Sequence, residues 1–345
     1  MGRRKPTAID LFSGCGGLTH GLRDAGFRVL AGVENDALAV ATFRANHRGV
    51  KVWECDICDL QPCDLLSHHR LEKGQLDLLA GCPPCQGFSA LRRLNGGRRN
   101  RDNRKDLVFE FMRFVGGLYP KVIMMENVPR LMKDRRMTAI RNRLHKLGYE
   151  GRPAVLDAAD YGVPQRRRRM IYIASRIGMI QYAAPDAEGD RRTVRDAIQD
   201  IALPAESDDP LHMINERRSE RVREMISLIP KDGGSRRALG EDKQLRCHQK
   251  CDGFKDIYGR MAWNDVSPTI TGGCVNPSKG RFLHPTQNRA ITLREAALLQ
   301  SFPEDYTFST ERGKFAVAQL IGNAFPPEFA RRHARLIALA LSENK

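Results

Sequence analysis

Residues 81–89 read GCPPCQGFS, with the thiols of Cys82 and Cys85 separated by two prolines that stiffen the backbone between them. The run LDLLA (76–80) just before it has the apolar continuity of a buried strand. Cys85 would then stand at the C-terminal edge of a sheet. Three roles are open to it there: a nucleophile, a metal ligand, or a small core residue. A free thiol ionises near about 8.5 and reacts as the thiolate, so nearby arginines or a helix start would favour the first role.

A second stretch, DLFSGCGGL (10–18), reads as strand, glycine turn and helix start. Glycines let a backbone pass close to a ligand, and the free N–H groups of a helix start face it. Gly14 and Gly16 fit the first two places of a dinucleotide fingerprint, but Thr19 stands at the third. The turn is therefore a poor pyrophosphate cradle, which argues against a dehydrogenase. It suits a nucleoside cofactor without phosphates, such as S-adenosylmethionine. Glu34 ends the next strand, where a carboxylate grips ribose hydroxyls. Asp56 follows the third strand and is placed to accept from an adenine amino group. The alternative for this turn is a tight structural bend flanked by solvated acids.

Nine cysteines in a chain with an intracellular look are not expected to form disulfides. Cys55, Cys58 and Cys63 followed by His68 and His69, and the CHQKC run at 247–251, lack the spacing of paired zinc knuckles, and no metal is expected.

These residues need a scaffold. In the first half of the 345-residue chain, strand-like runs (7–12, 28–33, 50–53, 76–80, 121–126, 169–175) alternate with helical ones (17–26, 36–47, 107–118). That order predicts an α/β fold, a doubly wound, mostly parallel sheet of Rossmann-like type, with ligands at the C-terminal strand edges. After about residue 183 the texture becomes polar and irregular, and regular helix returns over 292–302 and 327–342. The expected division is a catalytic and cofactor-binding domain over 1–183, a smaller irregular domain over 184–288, and a segment over 289–345 that completes the catalytic domain. The net charge of +16 points to a polyanionic partner. No apolar run approaches a membrane span, and no secretion signal or myristoylation pattern is present, so a cytoplasmic, DNA-associated location is expected.

Taken in order, the chain resembles the DNA (cytosine-5) methyltransferases of bacterial and phage type. The resemblance rests on DLFSGCGGL, GCPPCQGFS, MENVPRL (125–131), PQRRRRMIYIAS (164–175), SPTIT through REAALLQSFP (267–303) and QLIGNAFPP (319–327). Only 184–260 fails to align, and in this family that stretch reads the target sequence. The resemblance implies that Cys85 is the nucleophile, attacking cytosine C6 so that C5 can accept a methyl group from S-adenosylmethionine. It implies that Glu126 holds the N3 and amino edge of the base, and that Arg167 and Arg169 of the Q-x-R-x-R pattern reach the cytosine O2. Strand alternation would put those two arginines on one face.

By the same resemblance the cofactor contacts are Phe12, Gly14, Gly16, Gly17, Leu18, Glu34, Asn35, Asp56, Ile57, Pro84, Leu107 and Asn323. The expected DNA contacts are Gln86, Ser89, Arg92, Arg93, Gln165, Arg236, Arg237 and Arg246. The glycine- and arginine-rich 87–105 suits a loop that closes over DNA, the target base being flipped out of the duplex. Thr269 and Thr271 look like scaffold rather than readers. Phe325 departs from the valine usual in the family, which bears on packing near the methionine end of the cofactor. Double-stranded DNA is the expected partner of a monomer, which is either paired with a restriction endonuclease acting on the same site or an orphan methylase. A tRNA cytosine-5 methyltransferase is the nearest rival, but its Cys-Phe-Thr signature is missing. A catalytically silent DNA-binding regulator is disfavoured by intact Cys85, Glu126, Arg167 and Arg169.

Overall fold

The computed structural model describes residues 4–84, 107–213, 218–240 and 256–344. Cys85, Gln86, Ser89, Arg92, Arg93 and Arg246, with the loop 87–105 and the CHQKC run, lie outside the described residues.

The described residues form two compact units. The first comprises 1–157, 168–184 and 330–345, the second 158–167 and 185–329. The chain therefore divides differently from the expectation for 289–345: residues 289–329 go with the second unit. The reason is visible in its bonds. Arg294 donates its backbone N–H to the Leu211 carbonyl at 3.0 Å, and the buried His212 ring meets Thr292 Oγ1 at 2.8 Å.

In the first unit, β1 (Thr7–Leu11), β2 (Arg28–Glu34), β3 (Lys51–Glu54), β4 (Leu78–Gly81) and β5 (Val122–Asn127) pair in parallel in the order β3-β2-β1-β4-β5. All five residues of β1 are buried, as a central parallel strand covered on both faces requires. Two further strands, β6 (Glu150–Asp157) and β7 (Arg168–Ser175), extend the sheet, with β7 antiparallel to both β5 and β6. The sheet is thus doubly wound and mostly parallel, as expected.

The helices between the strands are α1 (Gly17–Asp24), α2 (Ala37–Asn46), α3 (Pro62–His69), α4 (Leu107–Leu118) and α5 (Arg135–Lys146). Asp36 caps α2 by accepting from the N–H groups of Leu38 and Ala39 at 2.9 and 3.1 Å. Phe111, Phe114, Met125 and Tyr172 join Ile9 and Leu11 in the main core. Each fully buried Phe of this kind contributes roughly 1.5–3 kcal/mol. At Gly81 a Cβ would lie 2.6 Å from the Leu11 carbonyl oxygen, so only glycine lets β4 leave the sheet this close to β1.

The second unit contains α6 (Val194–Ile198), α7 (Glu220–Leu228), α8 (Leu293–Leu299) and α9 (Gly313–Asn323), and α10 (Pro327–Glu343) runs from it to the C-terminus. Among the described residues no helix is long and apolar enough to cross a membrane.

Candidate active site

Strand order reverses between β1 and β4, the place where ligands bind in open α/β sheets. The chain leaves β1 through Phe12, in the left-handed region at φ 59°, and turns through Gly14 (φ 54°) and Gly16 (φ 95°) into α1. This turn is bonded from below. Ser13 N–H donates to the Val33 carbonyl at 3.0 Å, and Gly14 N–H donates to Glu34 Oε2 at 2.8 Å. Glu34 Oε1 also accepts from the N–H groups of Asn35 and Asp36 at 2.8 and 2.9 Å. Three bonds fill three of the roughly four acceptor positions of a carboxylate, which leaves it capacity for a ligand hydroxyl.

Asp56 is exposed beyond β3, where its Oδ1 accepts from Cys58 N–H at 2.8 Å. Two carboxylates at neighbouring strand ends repel phosphate and accept from hydroxyl or amino groups. The donor set fits a nucleoside without phosphates. Gly17, Leu18 and Ile57 are buried, Asn35 and Pro84 are exposed, and Leu107 opens α4 half-buried against the main core. Cys15, within the turn, is no nucleophile: burial pushes its thiol up to about 12.

The ends of β4 and β5 carry the second half of the site. Cys82 N–H donates to the Leu11 carbonyl at 3.3 Å, and buried Asn127 donates its amide to the Pro83 carbonyl at 2.8 Å. The segment leading to Cys85 is thereby fixed up to Pro83. Glu126 stands beside Asn127, and Arg169 Nε lies 2.9 Å from Glu126 Oε1. The antiparallel register explains the meeting. Glu126 pairs with Ile171, and Arg169 lies two residues before it on the same face of β7. Carboxylate and guanidinium together offer one acceptor and one donor edge, which matches a planar ring carrying an amino group and a carbonyl.

Three expected site residues are buried in the second unit. β7 begins at Arg168, so strand alternation does not reach Arg167. Arg167 is buried in the second unit, and its guanidinium donates to the carbonyls of Ile270, Gly322 and Ala324 at 3.1, 3.0 and 3.1 Å. Strand alternation therefore does not put it on one face with Arg169, and its guanidinium is engaged by these backbone carbonyls. Gln165 is fully buried and not available to DNA. Its amide donates to Leu299 O and Gln300 Oε1 and accepts from Ile270 N–H. Arg236 is likewise corrected: at 5% exposed it is not a groove-facing side chain, whereas Arg237 is exposed. Asn323 closes α9 and is exposed, and Phe325 is buried with its ring 5.3 Å from that of Phe329. Thr269 Oγ1 donates to the Arg166 carbonyl at 2.7 Å, a scaffold bond.

Sequence reasoning missed four supporting residues. Asp10 is fully buried beneath the glycine turn and accepts from Thr19 Oγ1 at 2.7 Å; burial pushes its carboxyl up to about 7. Arg113 of α4 donates to the carbonyls of Ile57 and Leu60 at 2.7 and 3.0 Å, holding the loop after Asp56. Asn127 is the third, and its place beside Glu126 was its only signal. The fourth is His47, described below.

The C-5 cytosine-specific DNA methylase family model matches residues 7–338. The Type II methylase M.HgiDII of Herpetosiphon aurantiacus is 37% identical over 342 residues, covering 95% of this chain and 94% of the relative. The Type II methyltransferase M1.HphI of Haemophilus parahaemolyticus is 35% identical over 346 residues, covering 98% and 88%. A crystal structure of a prophage-encoded Escherichia coli protein matches with a TM-score of 0.74 at 25% identity, covering 98% of this chain and 99% of that one. With the family model spanning 7–338 and these relatives at 37% and 35% identity, this protein belongs to the C-5 cytosine-specific DNA methylases.

Proposed function

We propose that this chain methylates C5 of one cytosine within a short duplex DNA sequence, with S-adenosylmethionine as donor and Cys85 as nucleophile. The observation that supports this best is the Glu126–Arg169 pair, at the end of the strand whose Asn127 holds the segment leading to Cys85.

Glu34 and Asp56 would hold the ribose and adenine of the donor, with the Phe12–Leu18 turn, Asn35, Ile57, Pro84, Leu107 and Asn323 around it. Bound there, S-adenosylmethionine supplies an electrophilic methyl group on a sulfonium sulfur. The Cys85 thiolate adds to C6 of the flipped cytosine, which pushes electron density to C5. Glu126 faces N3 and the amino group and offsets charge building on the ring, while Arg169 donates to O2. After C5 is methylated its proton leaves to a base, and the C6–S bond breaks to regenerate the thiolate. Arg167 holds the backbone at 270 and 322–324 rather than the base.

Gln86, Ser89, Arg92, Arg93, Arg237 and Arg246 are proposed to meet DNA, the charged ones through phosphates. We further infer that the enzyme acts as a monomer in the cytoplasm and protects the site cut by a partner endonuclease. Incubation with tritiated S-adenosylmethionine and mixed duplex DNA and tRNA tests the reading. Label is expected in DNA, at cytosine C5, and bisulfite sequencing of plasmid from expressing cells gives the target site. Label in tRNA alone would overturn the DNA assignment.

A further inference from the structure

His47 follows α2, lies outside every motif of the sequence, and is 1% exposed. Its Nε2 stands 3.1 Å from the Gly16 carbonyl oxygen, and its Nδ1 stands 3.2 Å from Arg23 Nη1. A carbonyl only accepts and a guanidinium only donates, so the proton must sit on Nε2 and the ring must be neutral. The ring is also packed on Phe43, with centroids 4.8 Å apart. Burial, then the charge of Arg23 and of His20, pulls its pKa down to about 3, so this state persists across the physiological range.

The bond falls on a sensitive atom. Gly16 is the residue before α1, held at φ 95° and ψ 14°. A glycine can turn its following peptide group over at little cost. Its carbonyl, however, accepts twice, from His20 N–H at 2.8 Å and from His47. A peptide is planar and trans, so fixing the Gly16 carbonyl along α1 aims the Gly17 N–H the opposite way, out of the helix start. Glu34 holds the same turn at Gly14. The turn is therefore strapped at both glycines, once by a residue expected to touch the donor and once by a residue from the far end of α2.

We propose that His47 is a positioning residue of the methyl-donor site, presetting the Gly16–Gly17 peptide through its Nε2–H bond. The inference rests on the donor site lying at this glycine turn, as in the reading above. The test compares His47→Leu, which removes the donor, with His47→Gln, whose amide N–H can take the place of Nε2–H. Binding of S-adenosylmethionine is measured by calorimetry, alongside duplex affinity, thermal midpoint and steady-state kinetics.

The leucine variant is expected to bind S-adenosylmethionine about tenfold more weakly and to raise KM for it by a similar factor. Its kcat at saturation and its duplex affinity should stay within about threefold of wild type, and glutamine should restore donor binding to within about threefold. Should the leucine variant not fold, His47→Asn replaces it: weakened binding with asparagine and restored binding with glutamine supports the strap. Equal donor binding by the donor-deleted and glutamine variants overturns it. Wild-type protein that bound no S-adenosylmethionine would remove the cofactor reading and the strap together. Wild-type binding matched by the leucine variant would remove the strap alone.

Discussion

Arg169 Nε and Glu126 Oε1 lie 2.9 Å apart, with the two side chains 18% and 14% exposed. Such partial burial keeps the pair from the full screening of a surface salt bridge while leaving both groups a face to present. It exists because β7 runs antiparallel beside β5, which makes these residues diagonal neighbours across the ladder.

If the pair acts as one unit on the base, its losses will not add. Glu126→Gln and Arg169→Ala should each lower kcat by about 100-fold or more, and the double variant should be little worse than the weaker single. Single-turnover methylation of a cytosine-bearing duplex measures this. Strictly multiplicative losses would mean that the two groups act separately.

Arg167 should behave as structure. Arg167→Ala leaves three carbonyls without their donor, at a cost of roughly 2–5 kcal/mol, and should lower the thermal midpoint by several degrees. A variant that unfolded like wild type yet had lost all activity would return the guanidinium to the base.

Glu34→Ala removes the acceptor of three backbone N–H groups. Hydrogen bonds to a charged group are worth about 1.5–3 kcal/mol, so S-adenosylmethionine should bind at least about tenfold more weakly while duplex affinity holds. Unchanged donor affinity would dissociate Glu34 from the ribose.

Asp10 sets a pH dependence of stability. Its carboxyl is raised from 3.8 to about 7 in the folded protein, so the native state holds this proton more tightly than the unfolded chain. Its contribution is fully present below 3.8 and is lost as pH rises through about 7, at no more than about 1.4 kcal/mol per pH unit. Thermal midpoints between pH 5 and 8 should therefore fall more steeply for wild type than for Asp10→Asn. Parallel curves would show that another group carries the effect.

Arg236 and Arg237 are adjacent but should separate cleanly. Arg237→Ala should weaken binding to any duplex and reduce the salt slope by about one ion, with stability unchanged. Arg236→Ala should lower the thermal midpoint, because the side chain is buried. The opposite pattern in salt titrations would exchange their roles.

The parallel half of the sheet was legible because its short strands alternate with helices from β1 onward, and the glycine turn and Glu34 followed from it. β6 was not. Residues 150–157 carry Pro153 and charged ends, and only the pairing with β7 makes an edge strand of them. α9 begins on glycine and holds another at Gly322, which hides it from helix signals. Arg167 was grouped with Arg169 because alternation was extended past the point where β7 begins. Gln165 and Arg236 carry chemistry that DNA would accept, and nothing in a linear reading shows that Gln165 spends its amide on Leu299 and Gln300 or that Arg236 is buried. His47 and Asn127 act through single backbone contacts, which leave no periodic trace.

The path of the chain has a consequence for any exchange of its second unit between relatives. The backbone passes between the two units at 157/158, 167/168, 184/185 and 329/330. Gln165 and Arg167, on the short first visit, grip Ile270, Leu299, Gln300 and Gly322 of the long second one. Recombination that exchanged 185–329 between relatives would separate those partners, so a graft that preserves the fold must be cut inside that span, leaving 267–271 and 299–324 with the host.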